Sequence, residues 1–243
     1  MSKTVLITGG SRGIGAAAVR IFAENGWRAA VNWNRSEEKA LALCRELGDA
    51  AVPFQADVSD PVQAQKLAEQ VFAAFGHLDA LVCNAGIALP LGLVQDCTDA
   101  DWRRVFAVNV DGMFYTVRAV VPQMIARHQG KIVTLSSMWG QVGGSCEVAY
   151  SAAKGAVIAF TKALAQELAP SGINVNCVAP GVIQTDMMAF ADEATLDALR
   201  EETPLGRLGT PEDAAAVIFR LCQPESDFVT GQVIGVNGGF VMT

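Results

Sequence analysis

Histidine is almost missing from this sequence, with two residues in 243, and no pair of cysteines has CxxC spacing. A zinc centre has little to draw on, and no metal is expected. The six cysteines, at 44, 83, 97, 146, 177 and 222, read as small buried hydrophobes in a reducing compartment, which suits a cytoplasmic protein. There is no run of eighteen or more uncharged apolar residues, so no membrane span is expected. The opening MSKTVLITGG runs straight into a charged, strand-like stretch and has the form of neither a signal nor a transit peptide. Basic residues are the minority, 18 against 25 acidic ones, and the resulting net charge of −7 argues against nucleic acid and against strongly acidic partners. No low-complexity linker divides the chain.

What is present is an apolar half, 51% of the residues, enough for the core of one domain spanning 1–243. Strands are expected near 3–8, 28–33, 51–56, 79–83, 131–136, 173–178 and 232–236, and helices near 13–25, 36–47, 60–75, 100–127, 149–169 and 211–222. Runs such as TVLIT, KIVTLS and INVNCVA are nearly continuous in apolar residues, as a parallel sheet covered on both faces requires. The alternation predicts a doubly wound α/β fold with ligands at the carboxyl ends of the strands.

Chemistry-bearing residues do follow the strands. TGGSRGIG places Gly9, Ser11, Arg12, Gly13, Ile14 and Gly15 between the first strand and a helix, where small residues and free amides suit a pyrophosphate. After the second strand come Asn34, Arg35 and Ser36, with no acid before Glu37. A carboxylate there would hold a ribose 2′-hydroxyl, whereas Arg35 with Arg12 suits a 2′-phosphate and so NADP(H). Arg35 opening a solvated helix is the plainer alternative. Asp57 and Val58 follow the third strand, where an adenine ring could lie, although Asp57 could equally serve a local turn, with Ser59 or Asp60 the better cap. Asn84, Ala85 and Gly86 end the fourth strand.

Asn109 is an amide inside the apolar run VFAVNV, a position that suggests its hydrogen bonds are needed there. Ser136 and Ser137 end the fifth strand, and YSAAK then sets Tyr150 and Lys154 four residues apart on a helix face. A cation about 4 Å from a phenol is worth roughly 4 kcal/mol at an effective dielectric near 20, enough to pull a tyrosine towards neutral pH.

In this order, TGGSRGIG, DV, NAG, the Asn109 helix, SS, YSAAK, PG and VNGG resemble the short-chain dehydrogenase/reductases from end to end. The resemblance implies a Rossmann-like seven-stranded sheet and a catalytic set of Asn109, Ser137, Tyr150 and Lys154. It also implies that Pro180, Gly181, Ile183 and Thr185 meet the nicotinamide end, with Tyr150 and Lys154 touching the cofactor. The implied reaction is hydride transfer from NADPH to a ketone. Tyr150 donates the proton, Ser137 polarises the carbonyl, Lys154 holds the ribose and lowers the Tyr150 pKa, and Asn109 supports a water route to Lys154.

Within the family, VNWNRSEEKA, APGVIQTDM, PLGRLGTPED and TGQVIGVNGG are similar to 3-oxoacyl-acyl-carrier-protein reductases of fatty acid synthesis. Those enzymes dock an acidic carrier through two basic sites, and the matching positions here are His128, flanked by Arg127, and the non-basic Ser171. The segment SSMWGQVGGSCEVAY is similar instead to elongation factor P 5-aminopentanone reductases. Trp139, Cys146, Glu147 and, in a lid near 183–205, Met187 with Met188 and Phe190 are the expected substrate contacts. Glu147 could pair with an amine-bearing substrate or cap the following helix, and Cys146 reads as a small pocket residue. A sugar or alcohol dehydrogenase and a non-catalytic NADP-binding protein are the remaining alternatives. The resemblance further implies a homotetramer formed through the helices near 100–127 and 149–169, with burial inside one subunit as the alternative.

Overall fold

Seven parallel strands form one sheet in the order β3-β2-β1-β4-β5-β6-β7 in the computed structural model, which describes residues 2–188 and 191–243. They are β1 (Thr4–Ile7), β2 (Arg28–Trp33), β3 (Ala51–Gln55), β4 (Ala80–Cys83), β5 (Gly130–Leu135), β6 (Ile173–Pro180) and β7 (Val233–Val236). All seven expected strands are found. The order reverses between β1 and β4, because β1 pairs with both β2 and β4, and the cleft at their carboxyl ends opens there.

The helices are α1 (Gly13–Glu24), α2 (Glu37–Leu47), α3 (Pro61–Phe75), α4 (Asp99–Phe106), α5 (Gly112–Arg127), α6 (Met138–Val142), α7 (Val148–Leu168), α8 (Glu193–Glu202) and α9 (Pro211–Leu221). On one face of the sheet α1 and α9 bury Phe22 edge-to-face against Trp27 and Phe219, with ring centroids 5.0 and 5.2 Å apart. On the other, α3, α5 and α7 bury Leu67, Val120, Met124 and Leu168 against Leu81 and Ile132. Each such side chain contributes about 1.5–3 kcal/mol on leaving water. Helix starts follow their caps. Asp60 accepts from the amides of Val62 and Gln63 to open α3, and Thr210 with Asp213 forms a reciprocal capping box on α9.

The sequence predicts one helix over 100–127, and here the structure differs. α4 and α5 are joined through a π-helical segment, Ala107–Asp111, with Asn109 at its centre. The widened turn presents the Asn109 amide to the loop after β4, where Ile87 N donates to its Oδ1 at 2.8 Å and its Nδ2 donates to Ile87 O at 2.9 Å. The lid region holds the short turn Asp186–Met188 and α8, while the expected contact Phe190 lies outside the described residues.

Candidate active site

The glycine-rich turn is shaped so that side chains cannot enter it. Gly9 and Gly13 have φ of +62° and +53°, and a methyl group on Gly15 would lie 2.3 Å from Gly9 O and 2.6 Å from Asn84 Nδ2. Asn84 braces this turn by donating to Thr8 O and Gly9 O at 2.9 and 3.0 Å, while Thr8 Oγ1 accepts from the amides of Asn84 and Ala85. Its amide is thus committed to protein backbone, which leaves Ala85 and Gly86 as the open edge after β4. Asn32, one of the residues of VNWNRS to which the sequence assigned no bracing role, holds the other side: its Oδ1 accepts from Gly9 N at 3.3 Å and its Nδ2 donates to Ala56 O at 3.1 Å. A buried asparagine at the end of an apolar strand was the available signal.

Arg12, at the cap of α1, and Asn34 and Arg35, after β2, are exposed, with Ser36 partly so. Ser11 is buried within the turn and Ile14 packs against the core below it. Asp57 is spent on a local turn: its Oδ1 accepts from Ser59 N at 3.0 Å and from Ser59 Oγ at 2.6 Å. Burial would raise its carboxyl, but these hydrogen bonds, with Asn34 and Arg35 nearby, hold it below the ordinary range. The Val58 side chain is buried under Gly112, so only its backbone can face a ring. Ile183 is likewise buried and bridges Gly209, whereas Gly181 approaches Asn237 so closely that a methyl would lie 2.7 Å from its Cα. Pro180 ends β6, and the Thr185 methyl lies 3.2 Å from the Cβ position of Gly13, bringing the start of the lid against the turn.

Asn109, Ser137, Tyr150 and Lys154 gather at the ends of β4 and β5. A methyl on Gly86 would sit 2.8 Å from Asn109 Oδ1 and 3.4 Å from Lys154 Nζ, so these two groups flank one small residue. Lys154 is buried and its Nζ donates to Leu135 O at 2.8 Å, while Ser136 Oγ donates to Lys154 O at 2.8 Å. Gly140 makes that approach possible, since a methyl there would lie 2.7 Å from the Lys154 carbonyl carbon. Ser137 caps α6 by accepting from Trp139 N at 3.2 Å. Lys154 Nζ stands 5.6 Å from the centre of the Tyr150 ring.

The electrostatics correct one expectation. Burial pushes the Tyr150 phenol up to about 12; the Ser137 hydroxyl draws it back and the charge of Glu147 adds to the rise. Burial also brings Lys154 down to about 8, with Cys177 opposing slightly. Lys154 therefore does not lower Tyr150 in the chain alone. Desolvation dominates at Tyr150, and the Lys154 ammonium is directed to the Leu135 carbonyl.

The segment between serine and tyrosine is distinctive. Trp139 is wedged between Gly144 and Phe240, the latter edge-on with centroids 5.9 Å apart, so the C-terminus adds a wall that sequence did not signal. Cys146 takes the left-handed backbone conformation, φ +63°, unusual outside glycine, and its carbonyl accepts from Gly92 N at 3.0 Å. Glu147 stands at the N-cap position of α7, at the positive end of the helix, and its side chain makes no hydrogen bond to the helix amides. Its carboxylate has no hydrogen-bond or ion-pair partner among the described residues, and burial raises its pKa. Met187 is 44% exposed on the lid.

The described residues contain no cluster of three His, Cys, Asp or Glu able to hold a metal, and no helix long and apolar enough to cross a membrane. A family model described as Enoyl-(Acyl carrier protein) reductase matches residues 9–241. The chain is 38% identical to "Uncharacterized oxidoreductase YmfI" of Bacillus subtilis (strain 168) over 244 residues, 99% of each chain. It is 40% identical to the 3-oxoacyl-[acyl-carrier-protein] reductase FabG of Thermotoga maritima over 243 residues, 99% of this chain and 98% of that one. A crystal structure of a short-chain dehydrogenase/reductase, glucose/ribitol dehydrogenase, from Brucella melitensis superposes with a TM-score of 0.92 at 35% identity, covering 99% and 97% of the two chains. By sheet order, site geometry and likeness along its whole length, the chain belongs to the short-chain dehydrogenase/reductase family, as an oxidoreductase.

Proposed function

We propose that this chain is a single-domain cytoplasmic enzyme, residues 1–243, that reduces a ketone to a secondary alcohol with NADPH. The carrying observation is the meeting of Asn109, Lys154 and Gly86 beside Ser137 and Tyr150, across the cleft from a glycine cradle that a single methyl group would fill. That cradle fits a dinucleotide pyrophosphate, and Arg12 and Arg35 favour a 2′-phosphate. When bound, the nicotinamide supplies a hydride to the carbonyl carbon. Ser137 orients and polarises the carbonyl oxygen, and Tyr150 Oη passes its proton to that oxygen as the carbonyl π bond breaks. A phenol raised by burial keeps its proton in the neutral range, the form that donates to a developing alkoxide. Lys154 would hold the nicotinamide ribose and, with Asn109 and water, would return a proton to Tyr150.

Likeness along the whole chain supports a 3-oxoacyl group on acyl carrier protein as the substrate. A second reading, the aminopentanone on a lysine of elongation factor P, has two observations of its own. Arg127, beside the expected docking position His128, is turned inward, donating to Leu78 O at 2.9 Å and to Asp79 Oδ1 at 3.0 Å. That takes one cation away from the expected docking position, where attraction to an acidic carrier would be electrostatic. Glu147, partly desolvated and unpartnered near Tyr150, suits a substrate amine instead. Exposed Trp102 on α4 and Phe114 on α5, the latter edge-on to Phe160 of α7, support a homotetramer through these helices.

NADPH oxidation with a carrier-bound 3-oxoacyl thioester, a simple ketone and an aminopentanone-modified factor separates the readings. Tyr150→Phe is expected to keep NADPH binding and lower turnover about 10³-fold on whichever ketone is used, and turnover near wild type rejects the assignment. Glu147→Gln is expected to reduce preference for the aminoketone over the neutral ketone roughly tenfold, and an unchanged ratio removes the second reading.

A further inference from the structure

The lid places a negative charge where the cofactor's own is wanted. Asp186, directly after Thr185, sets a single carboxylate oxygen between two cations: Oδ2 lies 2.5 Å from Lys39 Nζ and 3.5 Å from Arg12 Nη1. Lys39 belongs to the first turn of α2, otherwise acidic at Glu37 and Glu38, and Arg12 is the cation of the glycine-rich turn. Lys39 and Asp186 are 147 residues apart in sequence. Neither cation has another ion-pair partner among the described residues. The Thr185 methyl lies 3.2 Å from where a Cβ on Gly13 would stand, which puts the next residue, Asp186, beside the glycine-rich turn. The hydrogen bond and charge of Lys39, then those of Arg12, hold the Asp186 carboxyl below its ordinary range, so it is ionised at neutral pH.

We infer that Asp186 is a built-in competitor of the adenosine 2′-phosphate, occupying Arg12 and Lys39 in the cofactor-free chain, and that Lys39 is a further residue selecting the phosphorylated dinucleotide. A monoester phosphate carries a charge of about −1.5 to −2 at pH 7 against the single charge of a carboxylate, so it displaces Asp186 from the shared cations. A dinucleotide lacking that phosphate leaves the bridge closed. The three groups are each about half exposed, at 52%, 51% and 56%, so the bridge is weak enough to open. Preference for the phosphorylated cofactor is thereby coupled to release of the first residues of the lid.

This inference rests on the NADPH reading, and one set of titrations separates the two. Binding of NADPH, NADH, 2′,5′-ADP and 5′-AMP to the full chain is measured by calorimetry and by quenching of tryptophan fluorescence, without turnover. Wild-type preference for NADPH over NADH tests the cofactor reading alone. Asp186→Asn is expected to tighten NADPH and 2′,5′-ADP about threefold and leave NADH and 5′-AMP unchanged, the scale of one exposed ion pair. Lys39→Met is expected to weaken the phosphorylated pair by about the same factor, again sparing the other two. Should Asp186→Asn weaken all four ligands alike, the carboxylate is a strap closing over any nucleotide, and the inference is overturned. It is equally overturned if neither variant, folded as judged by its melting curve, changes the ratio between phosphorylated and unphosphorylated ligands.

Discussion

The floor of the site and its lid are built in opposite ways. In the floor, Asn109, Ser136, Ser137 and Lys154 are between 2% and 7% exposed, and Asn109, Ser136 and Lys154 spend their polar atoms on named backbone partners. In the lid, Met187 and Leu205 are 44% and 70% exposed, and Asp186 is tied down by ion pairs in water. A buried polar network has one good arrangement, because each unmade bond costs about 1–3 kcal/mol. An exposed apolar lid has many of nearly equal energy. On the proposed reading the reaction type resides in the floor and the choice of substrate above it, and changes to the two regions should differ in what they damage.

The largest effect is expected from Asn109→Ala. It strips Ile87 N of its acceptor and Ile87 O of its donor, leaving a π-helical segment with no bond to hold it to the loop. A loss of about 3 kcal/mol in urea unfolding is expected, together with a large fall in turnover. A variant of wild-type stability would show that the floor is not held by this amide, and the contrast with the lid would weaken.

Asn109 also shows how far the sequence could be read. An amide in VFAVNV signalled a required hydrogen bond, but not that the helix would widen to a π turn to make it. Local patterns of period and spacing were legible: the seven strands, the glycine turn and the YxxxK pair all appear where expected. Contacts between distant segments were not. Nothing near Arg127 announces that Asp79 will claim it, nor does Trp139 announce Phe240. The inverted electrostatics of Tyr150 belong to the same class. Spacing brings a cation near a phenol, whereas desolvation depends on everything packed around both.

Desolvation of Lys154 gives the next largest effect, visible as a pH dependence. Its folded pKa of about 8 lies below the ordinary 10.5, so between these values the unfolded chain binds a proton that the folded chain has released. Stability from this group therefore rises with pH above 8, and below 8 the penalty of a buried charge is felt in full. Relative to Lys154→Met, the wild type should gain about 2 kcal/mol between pH 8 and pH 10. Tyr150, raised to about 12 from 10, acts with the opposite sign only above pH 10, and the comparison stops there. Parallel stability curves for the two proteins would mean that the ammonium is better solvated than its burial and its bond to Leu135 imply.

The smallest effect on stability is expected in the lid, and it tests the contrast most sharply. Met187 sits on the short turn Asp186–Met188 with nearly half its surface in water, so Met187→Ala removes little buried area and should cost under about 0.5 kcal/mol. If Met187 covers the ketone, the apolar contact is lost equally from the bound ketone and from the transition state. KM then rises a few-fold while kcat stays near wild type, the signature of lost uniform binding. A fall in kcat with KM unchanged would place Met187 in the reaction itself, while a stability loss above about 1 kcal/mol would make the lid part of the packed structure. Either result would erase the separation between a floor that performs the chemistry and a lid that selects its substrate.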